Sequence, residues 1–326
     1  MEEVRASAAR LIGARPDEIA FVKNTSHGLN HIAQGLKWAR GDNVVSYDRE
    51  FPANHYPWKN LESRGIVLRM VSDHDGRILV QDLRKALDSR TRLLAISSVE
   101  FATGYRNDLK AIGKMCRENG VMLCVDAIQS LGALKLDVGR DPDGVGIDFL
   151  CADAHKWLLG PEGIGIMYAR GQCLEKLYPA YVGWNSVKDP LSFLPYHFDL
   201  KEDASKFEEG SHNLAGIFAL GGCLDLIEEI GVNRIERRIV ALTDHLVDGL
   251  SKRGWKVISP RGPKEKSGIV TFTGPDGIGI DPLKTVAMLA EKRIYISSRQ
   301  GSLRVSPHFY NTYEEIESLL KEIGRV

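Results

Sequence analysis

A lysine directly after an apolar strand invites chemistry, and one stands in Phe149-Leu-Cys-Ala-Asp-Ala-His-Lys-Trp-Leu-Leu-Gly-Pro161. The apolar run ends at Ala152, His155 and Lys156 follow, and Trp157, Leu158 and Leu159 come next. Loss of solvent favours the neutral form of an amine. A neutral amine is what Schiff-base formation with a carbonyl compound requires. The plain alternative is a lysine whose stem lies on apolar surface while its head stays in water. Upstream, Met122-Leu-Cys-Val-Asp-Ala-Ile-Gln129 ends a second apolar run on Asp126. An ionised carboxylate there is costly without a partner. A protonated pyridine nitrogen would be such a partner and would turn an aromatic ring into an electron sink. Asp126 is equally well placed to cap a following helix.

Two more segments fit the same chemistry. In Val22-Lys-Asn-Thr-Ser-His-Gly28, Thr25 and Ser26 open a helix. Free amide N–H groups, the helix dipole and two hydroxyls make an anion site there, although Ser and Thr start many helices that bind nothing. In Ser302-Leu-Arg-Val-Ser-Pro307, Arg304 sits in an apolar strand, either facing solvent at an edge or clamping a substrate carboxylate. Arg299, beside Gln300 and Gly301, is a second candidate for that clamp. Other patterns are set aside. His27-Gly-Leu-Asn-His31 has the histidine spacing of a zinc-protease helix, but Gly28 stands where the general-base Glu belongs. There is no Walker A motif, no Gly-x-Ser-x-Gly and no dinucleotide fingerprint.

The elements that must hold these residues alternate. Continuous apolar runs at 44–47, 66–71, 93–98, 121–126 and 149–152 suit strands buried on both faces. Helical patterns at 25–38, 54–64, 80–87 and 109–118 lie between them. This alternation predicts an α/β, doubly wound, mostly parallel sheet, with ligands outside the carboxyl ends of its strands. From about Asn213 the texture becomes α+β: helices at 214–230, 235–253, 284–292 and 313–323, with short strands at 255–258, 269–272, 295–297 and 303–306. The reading is a large domain over 15–212 and a small C-terminal α+β domain over 213–326, with 1–14 as the remnant of an N-terminal helical segment.

Composition narrows the class. Lys plus Arg and Asp plus Glu are both 43, so the zero net charge offers no reason to expect nucleic acid or a membrane as partner. No segment is apolar over the length of a membrane span. The five cysteines are scattered and form no Cys-x-x-Cys, as expected of reduced thiols in the cytoplasm.

In this order the segments resemble the class V aminotransferase family of fold-type I enzymes dependent on pyridoxal 5′-phosphate (PLP). That family takes in cysteine desulfurases, kynureninases and isopenicillin N epimerase-like proteins. The resemblance runs from about Ile19 to the C-terminus. It rests on Val125-Asp-Ala-Ile-Gln129, Asp153-Ala-His-Lys156, Gly160-Pro-Glu-Gly-Ile-Gly165 and Arg304-Val-Ser-Pro-His-Phe-Tyr-Asn-Thr312. It implies that Lys156 carries PLP as a Schiff base, that Asp126 pairs with the pyridine nitrogen and that Gln129 reaches the phenolic oxygen. By the same resemblance Thr25, Ser26 and His155 hold the phosphate, and Arg304 binds the substrate carboxylate. Phe51, in Glu50-Phe-Pro-Ala-Asn54, stands where kynureninase-like members stack an aromatic ring on the cofactor. Ser211, in Phe207-Glu-Glu-Gly-Ser-His-Asn213, matches a phosphate ligand given by a neighbouring subunit, which implies a homodimer.

Two departures bear on function. Desulfurases carry a nucleophilic cysteine on a loop before the arginine strand, whereas Arg299-Gln-Gly-Ser-Leu-Arg304 is short and has none. Without a thiolate to take the sulfur, persulfide chemistry is disfavoured. Family members also have a few dozen residues before the helix resembling 1–12. The expected activity is therefore that of an aminotransferase on a small amino acid. An epimerase or a lyase, isopenicillin N epimerase-like or kynureninase-like, is the alternative. A truncated, non-catalytic homologue is the third reading, and the presence of both Lys156 and Asp126 opposes it. Trp184, Phe193, Tyr196 and His197 read as packing rather than as pocket lining.

Overall fold

Runs such as Leu123-Cys-Val125 and Leu150-Cys-Ala152 are buried at every residue, which requires a sheet covered on both faces. The computed structural model describes residues 1–139, 144–275 and 279–324. Its first half runs α1 (Glu2–Ile12), β1 (Ile19–Val22), α2 (Thr25–Gly35), β2 (Asn43–Tyr47), α3 (Tyr56–Asn60) and β3 (Val67–Val71). Next come α4 (Val80–Ala86), β4 (Thr91–Ser97), α5 (Leu109–Glu118), β5 (Met122–Asp126), β6 (Phe149–Asp153), β7 (Gly165–Ala169) and α6 (Gly171–Leu174). After a long connection follow α7 (Leu214–Ile230), α8 (Val232–Lys252), β8 (Lys256–Val257) and β9 (Val270–Thr273). The described chain closes with α9 (Pro282–Glu291), β10 (Ser297–Arg299), β11 (Ser302–Val305) and α10 (Tyr313–Ile323).

The seven-stranded sheet has the order β1-β7-β6-β5-β4-β2-β3. Pairs from β3 through β6 are parallel, and β7 runs against both β6 and β1. Alternate residues point to opposite layers. Ile96, Val125, Ala152 and Ile166 join one apolar cluster, while Ala95, Cys124, Cys151 and Met167 join the other. The four-stranded sheet β10-β11-β9-β8 is antiparallel throughout and packs with α8, α9 and α10 around a third cluster. The sequence texture changes at 213, but the apolar packing changes within α8. Ile235 and Ile239 belong to the first cluster, with α1 and α7, and Leu242 and Leu246 to the third. Among the described residues no helix is long and apolar enough to cross a membrane.

Two expected helices end differently. The pattern at 25–38 stops as a helix at Gly35, and the Trp38 indole donates to the Ala33 carbonyl at 2.7 Å, occupying an acceptor that the ended helix leaves open. A side chain at 35 would meet the Tyr178 carbonyl at 2.2 Å. The pattern at 54–64 is broken into short turns, and Pro57, in the first turn of α3, has no N–H to carry the turn at 52–54 into that helix. Near the start of α2, Gly28 lets the helix lie on β6. A Cβ there would stand 2.7 Å from Cys151 Sγ.

Candidate active site

The strands that run parallel deliver chemistry at one end of the sheet. Asp126 is the last residue of β5, Lys156 follows β6, Phe51 follows β2, and Thr25 opens the helix after β1. This is the carboxyl edge where open α/β sheets bind ligands. The Thr25 hydroxyl accepts from the Asp153 amide at 3.0 Å, tying α2 to the end of β6. Just beyond, Leu159 is held at φ 61°, a conformation a branched side chain rarely adopts, and its amide closes a turn onto the Lys156 carbonyl at 3.2 Å. A strained turn thus follows the lysine directly.

Lys156 is half-buried, with Nζ 5.6 Å from the centre of the Phe51 ring. Burial lowers its pKa, Asp126 opposes the shift, and Arg304 and Arg299 add to it. Asp126 is 2% exposed and accepts from the Ile128 amide at 3.0 Å. Burial pushes its carboxyl up to about 6, against the pull of that amide and of Lys156. Arg304 lies on β11, paired on both sides, so it is not an edge residue. Its Nη1 donates to the Phe101 carbonyl at 2.7 Å and its Nε to Ser297 Oγ at 3.1 Å. Burial, with Arg299 nearby, brings its pKa down to about 10. Nη2 has no hydrogen bond among the described residues, which leaves part of the guanidinium fork for an anion.

The remaining expected residues divide. Gln129 is nearly buried, and its side chain makes no hydrogen bond among the described residues. His155 Nδ1 lies 3.1 Å from Asp153 Oδ1. Ser26 and Phe51 line one open cleft with Tyr56. Arg299 is exposed and donates to the neighbouring Ser298 carbonyl. Ser211 is exposed and lines a different cavity with Lys23, Gly163 and Asn213, in which Lys156 has no part. The packing expected of Trp184, Phe193, Tyr196 and His197 is not found. All four are exposed.

Sequence reading passed over two acids. Glu50 is buried and receives Ser97 N and Ser97 Oγ, each at 2.6 Å. Glu100 is buried and receives Asn107 Nδ2 at 2.7 Å. Burial raises both carboxyls, the Asp126 charge adds to each and Glu50 adds to Glu100, so these acids favour carrying a proton. For Glu100 the signal available was an acid beside the apolar run at 93–98, in Ser98-Val-Glu-Phe101.

The sequence profile of the aminotransferase class-V family matches residues 1–319. The chain belongs to that family. A protein named probable cysteine desulfurase from Methanothermobacter thermautotrophicus is 32% identical, over 99% of this chain and 84% of its own. A solved structure of the cystine C–S lyase C-DES with its reaction product cysteine persulfide superposes with a TM-score of 0.90. The two are 27% identical over 99% of this chain and 85% of that one. A mutant of C-DES with glycine covalently linked to the PLP cofactor gives a TM-score of 0.90 at 26% identity, over 99% and 84%. As a class-V aminotransferase relative, the protein is a PLP-dependent enzyme of the fold-type I architecture. Its residues fit that cofactor. The edge of the sheet presents a desolvated amine, a buried carboxylate in want of a cation, an exposed aromatic face and a helix start bearing hydroxyls.

Proposed function

We propose that the enzyme acts at Cα of a small α-amino acid as an aminotransferase. The observation that carries this reading is the convergence on Lys156. Asp126 and Arg304 both lie close enough to shift its pKa, in opposite directions. Bound PLP supplies a carbonyl for the substrate amine and a ring that takes up electrons released at Cα. In this reading Lys156 Nζ holds the cofactor and, once displaced by substrate, moves the proton at Cα. Asp126 keeps a proton on the pyridine nitrogen, and Gln129 donates to the phenolic oxygen. Thr25 still has its hydroxyl proton to give to the phosphate, since the hydroxyl only accepts from Asp153, and Ser26 and His155 complete that set. Phe51 covers one face of the ring, and Arg304 takes the substrate carboxylate. Arg299, exposed next to it, meets the same anion from the outside.

Two features support a homodimer. Ser211 does not share a cavity with Lys156, as a ligand given to a second copy would not. Phe193 is 69% and Tyr196 88% exposed, apolar surface suited to a like chain. Five unpaired cysteines support a cytoplasmic setting.

A second reading is a lyase acting on a β-substituted amino acid, which the likeness to the cystine C–S lyase favours. Desulfuration by a protein thiol has little support. Four of the cysteines are buried, and Cys223 donates to the Leu159 carbonyl at 3.2 Å.

The test is borohydride reduction of the protein loaded with PLP. The cofactor should become fixed to the peptide holding Lys156 and not to Lys156→Ala; no fixation on the wild type would refute the reading. Without an acceptor, an aminotransferase releases one keto acid per site and stops. Continued release would choose the lyase.

A further inference from the structure

His27 and His31 stand one turn apart on α2, and Glu209 reaches them from the segment before α7. The ligating atoms of the three lie within 4.8 Å of one another. His31 is fully buried, and neither ring nitrogen has a hydrogen-bond partner among the described residues. An imidazole in that state leaves a donor and an acceptor unmet, a cost that native structures rarely carry without a bound ion or water. Its ring neighbours do not meet it. They are Tyr181 at 5.6 Å, Phe207 at 5.4 Å and His27 at 4.5 Å between centroids.

We propose that His27, His31 and Glu209 form a binding site for a divalent transition-metal ion of the zinc class, with one coordination position open to water. Two imidazoles and a carboxylate match that class rather than calcium or magnesium, which take oxygen ligands. Burial lowers the pKa of both imidazoles, which favours the neutral state that ligates. A four-coordinate ion about 2.1 Å from its ligands holds them roughly 3.4 Å apart, so a pair at the 4.8 Å limit must close by about 1.4 Å. Glu209 can supply that movement. It lies in an irregular segment and is only half-buried, and its present partner is the exposed Lys23 ammonium at 3.3 Å. His27 Nδ1 accepts one long bond, 3.3 Å, from the Lys23 amide. Ligation through either nitrogen of His27 costs that bond alone, and its donor can turn to water.

Within one chain the site lies apart from the cleft that Phe51 lines. Ser26 lines the cleft with Phe51, whereas His27 lines the cavity of Glu209 and Ser211. Gly28 leaves no general base beside the histidines, so hydrolysis is not its task. An ion here joins α2 to the segment carrying Ser211, across almost two hundred residues of sequence, and holds that segment in place.

The experiment takes protein with PLP bound and free PLP removed, dialyses it against a chelator, and titrates it with Zn2+ by calorimetry and with Co2+ by visible absorption. The expected result is one ion per chain, with the intense visible bands of four-coordinate Co2+. His27→Ala and Glu209→Gln should each weaken Zn2+ binding by about tenfold or more. Both residues are only partly buried, so these variants keep the test open should His31→Ala fail to fold. A Zn2+-dependent rise in Tm should accompany binding and vanish in both variants. Absence of binding, or binding that neither variant weakens, overturns the site.

Discussion

At the scale of residues, the protein holds carboxyl groups where water does not reach. Asp126 has its folded pKa raised to about 6 by burial. The folded chain without cofactor therefore keeps a proton that the unfolded chain releases near pH 4. Its contribution to stability is full below that value and is lost as pH rises through about 6. Asp126→Asn removes the loss. In urea unfolding of cofactor-free protein, the variant should exceed the wild type by on the order of 2 kcal/mol near pH 7 and match it near pH 4. Glu50 and Glu100 slope in the same direction, and the Asp126 charge raises both, so the gap near pH 7 includes the relief of that repulsion. An equal gap at both pH values would contradict the assignment. Lys156 and Asp126 were legible in the sequence because a charged residue at the end of an apolar run needs a reason. Glu50 was not, because its burial depends on Ser97 from another strand.

At the scale of elements, the β10–β11 hairpin presents Arg304 to the loop after β4. Its guanidinium reaches the Phe101 carbonyl, a contact 203 residues apart in sequence. If the free edge of that fork binds the substrate carboxylate, Arg304→Gln loses a charge-assisted bond of about 2 kcal/mol. The expected outcome is a rise in KM of roughly thirtyfold with a smaller change in kcat. Amines without a carboxylate should react as they do with the wild type. Arg304→Lys should not restore KM, because a lysine lacks the planar fork. Loss of the borohydride-fixed cofactor in either variant would mean that Arg304 holds the site's structure instead. The strand itself was readable from Leu303 and Val305, but its place in the middle of a sheet was not. Strand β7 escaped the sequence reading altogether, since Gly165-Ile-Met-Tyr-Ala169 continues a glycine-rich motif and only its pairing with β6 and β1 declares it a strand.

At the scale of the whole molecule, the segment from Tyr178 to Phe198 leaves large apolar side chains in water. A second copy of the chain is the proposed cover. Sedimentation velocity should show a dimer at micromolar concentration, and Phe193→Asp with Tyr196→Asp should shift it toward monomer without changing the far-UV spectrum. A wild-type monomer would remove the role given to Ser211. The sequence by itself determined the strand–helix alternation and the family, and it singled out Lys156 and Asp126. Burial on both faces of a parallel sheet leaves a continuous apolar run, and a charge interrupting one stands out at short range. Only the tertiary structure decided which layer each strand residue faces, that the change of packing falls inside α8, and that Glu50 and Glu100 share a proton-favouring interior. The same holds for His31, left unpaired beside Glu209. These depend on contacts between segments distant in sequence, and local pattern carries no record of the partner.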